Sequence, residues 1–274
     1  MLKQNLKKKI FLIGHKSFLQ ENLYKYLKKK YNVKKLRFKQ VNKFKFGNYD
    51  TIINFSNSKS FFLKKYNTNL DRNLKIAKQI KKTNSNLVII SSRQVYKPQI
   101  DITEKSKINP VNIYSKNCIM SEKNCIKIIK NNLLILRVSN VIGFEIGKKK
   151  RPSLTSTIIN GIKKKKIIFD NNYYLYKDLL PINYFCIYIE KLLKLNIKGI
   201  VNLGSGIPIK INFFLNKIID TKKIKVEINL KKNFTDNDFC FNTGYLYKLT
   251  KIKIKKKNLL DYFKKLNKYL KKIR

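Results

Sequence analysis

The chain has 274 residues, of which 43% are hydrophobic and 12% aromatic, and this length and apolar content exclude a disordered chain and predict a large buried core. Its formal net charge of +48 comes almost entirely from lysine, since only six of the 63 basic residues are arginine. Lysine lies along the whole chain beside abundant isoleucine and asparagine, so A/T-rich codon drift explains the excess without a specific nucleic-acid partner, and a polyanion-binding face stays the alternative.

Further classes of protein are disfavoured by the sequence. The longest apolar runs, such as NLLILRVSNVIGF, are well short of the ~20 residues that span a bilayer. The segment MLKQNLKKKIFLIG passes directly from basic residues into a strand-like run, unlike an export signal. Cys118, Cys125, Cys186 and Cys240 show no CxxC spacing, and the single histidine, His15, can complete neither a zinc site nor a Ser-His-Asp triad. We therefore expect a cytoplasmic protein with reduced thiols, no membrane span and no metal site.

Short apolar runs alternate with longer segments of helical period through the first half of the chain. In order they read KIFLIG, FLQENLYKYLKKK, NVKKLRF, DTIINF, LDRNLKIAKQIKK, NLVIIS, an amphipathic stretch at about 112–131, and LLILRV. Continuous Ile/Leu/Val strands between helices predict a parallel sheet buried on both faces, and hence an α/β, Rossmann-like doubly wound fold. We predict a dinucleotide-binding domain over residues 1–145 and a smaller, loop-rich substrate lobe, with part of the sheet, over residues 146–274.

The turn after the first strand reads GHKSFLQENL. Gly14 stands at the first glycine of a GxxGxxG turn, whereas Ser17 and Gln20 stand at the other two glycine positions. Amides and the dipole at a helix N-terminus bind pyrophosphate, and we assign to cofactor binding the residues Gly14, His15, Ser17, Phe18 and Leu19. The alternative is a plain capping box between Ser17 and Gln20. A glutamine at position 20 is expected to push the helix outward or to fill the pyrophosphate space.

The second strand-like run, NVKKLRFKQ, ends in basic residues and not in a carboxylate. An acidic residue at this place binds the ribose 2′-hydroxyl of NAD, and a basic one accommodates the 2′-phosphate of NADP. Arg37, followed by Lys39, therefore slightly favours NADP over NAD.

Several later segments together carry a family resemblance. YDTIINFSNS resembles a third strand that holds Asp50 and ends, at Phe55 and Ser56, beside the cofactor. NLDRNLKIAKQ resembles a segment beginning with a structural asparagine, Asn69, which we assign with Phe55 and Ser56 to cofactor binding. VIISSRQVYK is similar to a strand ending in Ser-Ser-x-x-Val-Tyr, and NPVNIYSKNCIMSEK to a helix with a tyrosine and, eight residues on, Glu122. In order and spacing, these segments resemble the extended short-chain dehydrogenase/reductase family of nucleotide-sugar epimerases, dehydratases and reductases, nearest to its dTDP-4-dehydrorhamnose reductases.

The resemblance implies NAD(P)-dependent hydride transfer at a sugar carbon, with Ser92 and Tyr114 as the acid-base pair. A phenol is a poor base at pH 7, and the family has a lysine four residues after the tyrosine to favour the phenolate. Here that position is Cys118, and the adjacent Lys116 points to the other side of the helix. Three alternatives follow: Arg93 stands in for the lysine, the enzyme works slowly on Ser92 and Tyr114 alone, or the fold binds its ligands without turnover.

For the substrate lobe, YYLYKDLLPINYF is similar to the family segment in which a basic residue contacts the nucleotide-sugar diphosphate, here Lys177. Asn140, in LRVSNVIG, is expected to line the substrate side. Dehydration is the least expected reaction, because Arg93 and Gln94 stand where a dehydratase needs an acidic residue. The resemblance further implies surface-polysaccharide metabolism and a homodimer formed through the helix that carries Tyr114.

Overall fold

The computed structural model describes residues 9–144, 154–169, 174–219, 224–228 and 238–272. The chain divides into two compact units. The first consists of Met1–Lys97, Ser106–Val138 and Ile189–Val201, and the second of Pro98–Lys105, Ser139–Tyr188 and Asn202–Arg274. Each unit is therefore assembled from segments that are distant in sequence.

Strands and helices alternate through the first half of the chain, as the sequence predicts. Within the described ranges the strands are β1 (Ile10–Ile13), β2 (Val33–Leu36), β3 (Thr51–Asn54), β4 (Asn86–Ser92), β5 (Leu133–Val138), β6 (Asn140–Ile142), β7 (Lys166–Phe169), β8 (Tyr176–Pro181), β9 (Gly199–Leu203), β10 (Pro208–Lys210) and β11 (Lys225–Ile228). The helices are α1 (Phe18–Leu27), α2 (Phe38–Val41), α3 (Lys59–Leu63), α4 (Arg72–Ile80), α5 (Ile113–Ile129), α6 (Leu154–Lys163), α7 (Ile182–Lys194), α8 (Ile211–Ile218), α9 (Gly244–Thr250) and α10 (Lys256–Lys271).

The central sheet has six strands in the order β2-β1-β3-β4-β5-β9. Strand β1 pairs in parallel with β2 and β3, β3 with β4, and β4 with β5. Strands β1, β3 and β5 are buried along their whole length, because helices cover both faces of a doubly wound sheet. The predicted Rossmann-like fold is confirmed, and the segment GIVNLG supplies the outer strand β9.

Helices α4 and α5 pack together on this sheet. Ile76 of α4 and Cys125 of α5 are fully buried in one cluster with Phe11, Ile52 and Leu87 from three of the strands. Helix α4 begins at the N-cap Asp71, whose side chain accepts the amide of Leu74. The core therefore packs α5 against one face of the sheet.

The second unit contains a three-stranded sheet in the order β10-β8-β6. Strand β8 pairs antiparallel with β10 and parallel with β6, and β7 pairs in parallel with β11. The C-terminal helix α10 buries the apolar face that its sequence predicts, with Leu259, Phe263, Leu266 and Leu270 inside. In the part of the chain that is described, no helix combines the length and the apolar character needed to cross a bilayer.

The carboxyl ends of the parallel strands meet at one edge of the central sheet. Ile13 at the end of β1 pairs with Leu36 and Asn54 at the ends of β2 and β3, and Ser92 at the end of β4 pairs with Val138. The turns that follow β1, β3 and β4 therefore lie at this edge, where ligands of open α/β sheets bind.

Candidate functional site

The turn after β1 leads directly into α1. Gly14 donates its amide to the carbonyl oxygen of Leu36 at 2.9 Å, His15 is exposed, and Lys16 adopts a left-handed φ of 52°. Ser17 is the N-cap of α1, and its Oγ accepts the amide of Gln20 at 3.4 Å. The first amides of the helix belong to Phe18 and Leu19, and such amides point out of a helix N-terminus.

Gln20 does not form the capping box that its spacing suggests. Its side chain is fully buried and donates through Nε2 to the carbonyl oxygen of Leu12 at 3.0 Å, so it turns towards β1 and not back to the N-cap amide. Its Oε1 would lie 2.9 Å from a Cβ at Gly14, and among the described atoms this oxygen has no hydrogen-bond partner. Gln20 therefore lies beneath the turn, where a Cβ at position 14 would crowd its amide group.

This geometry fits the pyrophosphate of a dinucleotide. The bulky residue at the third glycine position is buried on the sheet side of α1 and leaves the solvent side of the helix N-terminus to the amides of Phe18 and Leu19. The dipole and these amides favour an anion. We therefore expect the turn to accept a pyrophosphate although Ser17 and Gln20 stand in place of two glycines.

The residues predicted after β2 and β3 lie at the same edge of the sheet. Arg37 directly follows β2 and is exposed. Phe55 is buried and donates its amide to the carbonyl oxygen of Ile13 at 2.8 Å. Ser56 is buried and donates its hydroxyl to Oδ1 of Asn54 at 2.6 Å. Strand β3 and the turn after β1 are therefore held together by hydrogen bonds beside the predicted cofactor site.

Two asparagines of this region, Asn69 and Asn73, differ in burial. Asn69 is exposed in a 3-10 turn, and its amide donates to Oδ1 of Asn67 at 2.8 Å. Asn73 is buried, accepts from Asn54 at 2.6 Å and donates to Ser121 at 3.1 Å. Helix α4 begins after Asp71 and places the asparagine of its first turn inside, while Asn69 lies outside the helix. The assignment of Asn69 to cofactor binding stays a prediction.

Two adjacent serines end β4 and differ in surroundings. Ser92, predicted to assist catalysis, is half-buried, and its Oγ accepts the amide of Gln94 at 3.2 Å. Ser91 is buried and donates its hydroxyl to Glu122 of α5. Gln94 also accepts from Asn112, the N-cap of α5, at 3.1 Å. The turn after Ser92 is therefore tied to the start of the helix that carries Tyr114.

Tyr114 lies in the first turn of α5 and is half-buried against α3. Its ring stacks on Phe62 with centroids 4.9 Å apart and an interplanar angle of 16°, and it meets Phe61 edge-on at 6.3 Å. Asn117, one turn further along α5, donates to the carbonyl oxygens of Phe61 at 2.9 Å and Lys64 at 2.8 Å. These bonds fix α3 against α5, so packing holds the Tyr114 ring in place.

Cys118 stands one helical turn after Tyr114, and only 5% of it is exposed. The hydroxyls of Tyr114 and Ser91 act to lower the pKa of its thiol. Burial raises the pKa of the Cys118 thiol to about 12, and the nearby Glu122 carboxylate also opposes the thiolate. The position that holds a lysine in the resembling family therefore holds a neutral thiol.

A buried ion pair lies below these groups. Arg137 of β5 donates to Glu122 at 2.6 Å and to the phenol oxygen of Tyr96 at 2.7 Å, and about 4% of Arg137 and 2% of Glu122 are exposed. Burial opposes the charge on Arg137, but its hydrogen bonds to Glu122 outweigh this and raise the pKa of the guanidinium. The charge of Arg137 is thus matched by Glu122.

In the second unit, the two predicted substrate residues lie on paired strands. Lys177 of β8 is buried and pairs in register with Ile209 of β10. Asn140 of β6 donates to the backbone carbonyl of Asp178 at 3.3 Å. Asp178 itself is fully buried and accepts from the amide and hydroxyl of Ser205 at 2.7 and 2.8 Å, so it organises the turn after β9.

Sequence reasoning missed three buried polar residues: Ser91, Asn73 and Arg137. The periodicity of the strand or helix points all three side chains inward. Side chains alternate between the two faces of a strand, and they return to the same face of a helix about every turn. The alternation of β4 with one serine inside and one at the edge is a signal that could have separated Ser91 from Ser92. Among the described residues, no group of three or more His, Cys, Asp and Glu side chains could hold a metal ion.

Comparisons with known proteins concern the fold and the family of the chain. A search of curated protein sequences gave no match. Similar structures include UDP-N-acetylglucosamine 4-epimerase from Methanobrevibacter ruminantium in complex with UDP-N-acetylmuramic acid, with a TM-score of 0.82, 15% identity, and coverage of 98% of this chain and 99% of that chain.

Two further structures are similar over nearly their whole length. UDP-glucuronic acid 4-epimerase from Bacillus cereus, in complex with UDP-glucuronic acid and NAD, has a TM-score of 0.77 at 15% identity and coverage of 97% and 100%. RMD from Pseudomonas aeruginosa, complexed with NADPH, has a TM-score of 0.77 at 16% identity and coverage of 97% and 98%. At these identities the likeness establishes the fold. The model of the NAD dependent epimerase/dehydratase family matches residues 10–189, more than half of the chain, and the chain belongs to that family.

Proposed function

We propose that the protein is an NAD(P)-dependent nucleotide-sugar reductase or epimerase of surface-polysaccharide metabolism that works in the cytoplasm. One observation carries the proposal. At the edge of the central sheet, the N-terminus of α1, which suits a pyrophosphate, belongs to the same compact unit as the segments that contain Ser92 and Tyr114. The similar structures support it, since they contain nucleotide sugars, NAD or NADPH.

Each residue at the edge has a distinct proposed role. The amides of Phe18 and Leu19 bind the pyrophosphate, and Arg37 after β2 binds the adenosine end, which favours NADP over NAD. When bound, the nicotinamide supplies or accepts a hydride at the sugar carbon. Ser92 polarises the sugar oxygen, and Tyr114 exchanges a proton with it.

The nucleotide sugar is proposed to contact the second unit. Lys177 of β8 supplies positive charge for the diphosphate, and Asn140 of β6 supplies an amide for the sugar. A lysine acts on a diphosphate as a point charge, with less directional geometry than an arginine. Substitution of Lys177 is therefore expected to weaken substrate binding and to leave binding of the dinucleotide unchanged.

A second candidate is a protein that binds the nucleotide sugar or the dinucleotide without turnover. The neutral, buried thiol of Cys118 favours this alternative, since it supplies no charge to the phenol. Both candidates keep the cofactor-binding turn, and they differ only in whether the bound ligands react.

Other partners receive less support from the surface. Exposed lysines occur on separate helices of both units, for example Lys78 on α4, Lys116 on α5 and Lys264 on α10, which favours compositional drift over a dedicated nucleic-acid face. The outer side of α5 carries exposed Ile113 and Met120 together with Lys116 and Lys123. A homodimer through α5 stays a prediction, and it would bring like charges together.

The test of the proposed function is a fluorescence titration with NADPH and NADH at two salt concentrations, because salt suppresses nonspecific attraction to the basic surface. We expect saturable binding that survives raised salt. Ser17→Asp keeps an N-cap residue but adds a negative charge beside the pyrophosphate, so it should weaken binding at least tenfold, whereas Ser17→Thr should bind nearly as the parent does. Loss of binding by the parent at raised salt would overturn the proposal.

A further inference from the structure

A network of buried polar side chains, called here the polar network, runs from the end of β3 through the start of α4 to α5. The hydroxyl of Ser56 donates to Oδ1 of Asn54 at 2.6 Å, and Nδ2 of Asn54 donates to Oδ1 of Asn73 at 2.6 Å. Nδ2 of Asn73 donates to Oγ of Ser121 at 3.1 Å, and this hydroxyl donates to Oδ1 of Asp71 at 3.1 Å. At most 5% of each of these five residues is exposed, and all five belong to the first compact unit.

The backbone of Ser56 fixes the orientation of one end of the polar network. Oδ1 of Asn54 accepts the amide of Ser56 at 2.9 Å, and Nδ2 of Asn54 donates to the carbonyl oxygen of Ser56 at 3.2 Å. If the nitrogen and oxygen of the Asn54 side chain were exchanged, two donors would face each other and two acceptors would face each other. Asn54 therefore has one orientation, and it holds the backbone of Ser56 through both the N–H and the C=O group.

The carboxylate of Asp71 fixes the other end of the polar network. It accepts the backbone amide of Leu74 at 3.1 Å, the hydroxyl of Tyr66 at 2.7 Å and the hydroxyl of Ser121. An ionised carboxylate only accepts hydrogen bonds, so each donor of the network points towards Asp71. Position 73 must therefore present an acceptor on the β3 side and a donor on the α5 side. An amide side chain supplies both groups, whereas a carboxylate supplies only the acceptor.

The polar network ends at the segment that is proposed to lie beside the dinucleotide. Phe55 and Ser56 directly follow β3, and the amide of Phe55 donates to the carbonyl oxygen of Ile13, next to the turn after β1. Asn54 makes three hydrogen bonds to Ser56. A binding segment must be held within about 0.5 Å of its productive position by the groups that pack and hydrogen-bond behind it. The polar network is such a support, because it links this segment to two helices.

We propose, on the basis of the proposed function, that Asn73 and Ser121 are positioning residues for the dinucleotide. Asn73 holds Asn54 in the orientation that fixes the backbone of Ser56, and Ser121 holds Asn73 from α5. Both residues act on the ligand through Asn54 and the segment Phe55–Ser56, without touching the ligand. Their loss therefore weakens binding of the dinucleotide by loosening that segment.

The test is a calorimetric titration with NADPH, at raised salt, of the parent, Asn73→Asp and Gln79→Glu. Both variants replace an amide of α4 by a carboxylate of the same shape, and salt screens the added charge. Gln79 is the matched control, because it lies in the last turn of α4, near the opposite edge of the sheet, and donates to the carbonyl oxygens of Val41 at 2.9 Å and Phe44 at 2.5 Å. We expect Asn73→Asp to raise the Kd at least about fivefold, as the loss of one hydrogen bond predicts, and Gln79→Glu to raise it less than about twofold.

Ser121→Ala is a second variant, which changes no charge. It removes the acceptor of Asn73, and we expect the Kd to rise about two- to fivefold. The ¹H–¹⁵N signal of the Ser56 amide, measured without ligand, reports the hydrogen bond from this amide to Asn54. This signal should shift in Asn73→Asp and in Ser121→Ala and should stay in place in Gln79→Glu. Side chains that only stabilise the fold would lower the Tm without changing the Kd of the folded protein.

The outcomes separate this inference from the proposed function. If the parent binds NADPH at raised salt and neither Asn73→Asp nor Ser121→Ala raises the Kd, the inference falls and the proposed function stands. An equal rise in Gln79→Glu, or a rise without a shift of the Ser56 signal, would also overturn the inference. Should Asn73→Asp fail to fold, Ser121→Ala decides. Binding by the parent that is lost at raised salt would overturn the proposed function, and the inference with it.

Discussion

The turn after β1 and the first half of α5 both depart from the family pattern, but the structural consequences differ. At the turn, Ser17 and Gln20 stand in place of two glycines. The side chain of Gln20 turns towards β1, so it does not cover the first backbone amides of α1. On α5, Cys118 stands where the resembling family has a lysine, and its buried thiol carries no charge. Backbone geometry can therefore survive a change of side chain, whereas a side-chain charge is present or absent according to a single residue.

The largest expected effect concerns the stability that the buried ion pair gives to the region around α5. Glu122→Gln removes the carboxylate and leaves Arg137 buried without its partner, so we expect a loss of about 3–5 kcal/mol in the free energy of unfolding. Urea denaturation measures the change. Glu227→Gln is a control, since Glu227 pairs with Lys166 at 2.7 Å on a more exposed surface and should change stability little. Equal, small effects would contradict the view that the ion pair scaffolds this region.

The second largest expected effect concerns the carboxylate of Glu190, which lies against the C-terminal end of α1. Glu190 of α7 accepts from Tyr26 at 2.6 Å and Tyr31 at 3.0 Å and pairs with Lys30 at 3.2 Å. Burial of Glu190 acts to raise its pKa, but these hydrogen bonds outweigh burial and lower the pKa from 4.5 to about 2.

A lowered pKa means that this stabilisation is complete above pH 4.5 and is lost as the pH falls towards 2. The contribution is at most about 3 kcal/mol at neutral pH, from 1.36 kcal/mol per pKa unit. Unfolding experiments on the parent and Glu190→Gln should show a difference at pH 7 that shrinks as the pH falls from 4.5 to 2.5. A difference that does not depend on pH would show that α1 is not held by the charge of Glu190.

The smallest expected effect concerns the packing of Gln20 beneath the turn after β1. Gly14→Ala would place a Cβ 2.9 Å from the buried amide oxygen of Gln20, and such overpacking costs about 1–3 kcal/mol. In a Gln20→Ala background the same change should cost much less, as thermal unfolding of the double mutant would show. Gly47→Ala is the control, because the nearest atom to its Cβ lies at 3.4 Å, an ordinary contact distance. An undiminished cost in the double mutant would mean that Gln20 is not the reason for the glycine.

The fold could be predicted because it depends on patterns that the sequence shows directly. Runs such as DTIINF and LLILRV alternate with amphipathic segments, and this period is enough to indicate a parallel sheet between helices. The spacing of Ser92, Tyr114 and Glu122 likewise indicated the family. What could not be predicted depends on the direction of single side chains: Gln20 turned inward, Ser91 rather than Ser92 reached Glu122, and Asn73 rather than Asn69 was buried.

The division into units shows the same limit. The sequence places a boundary near residue 145, whereas contacts assign Ile189–Val201 to the first unit and Pro98–Lys105 to the second. Strand β9 completes the central sheet only after the chain has passed through β6, β7 and β8. Periodicity identifies such a strand, but it does not tell which sheet the strand joins.

The comparison of the two regions depends on whether the turn after β1 still binds a dinucleotide, and a calorimetric titration with NADPH at two salt concentrations tests this. We expect saturable binding that survives raised salt, and we expect Ser17→Asp to weaken it at least tenfold because the added carboxylate lies beside the pyrophosphate. Binding by the parent protein that disappears at raised salt would contradict the view that the turn keeps its function.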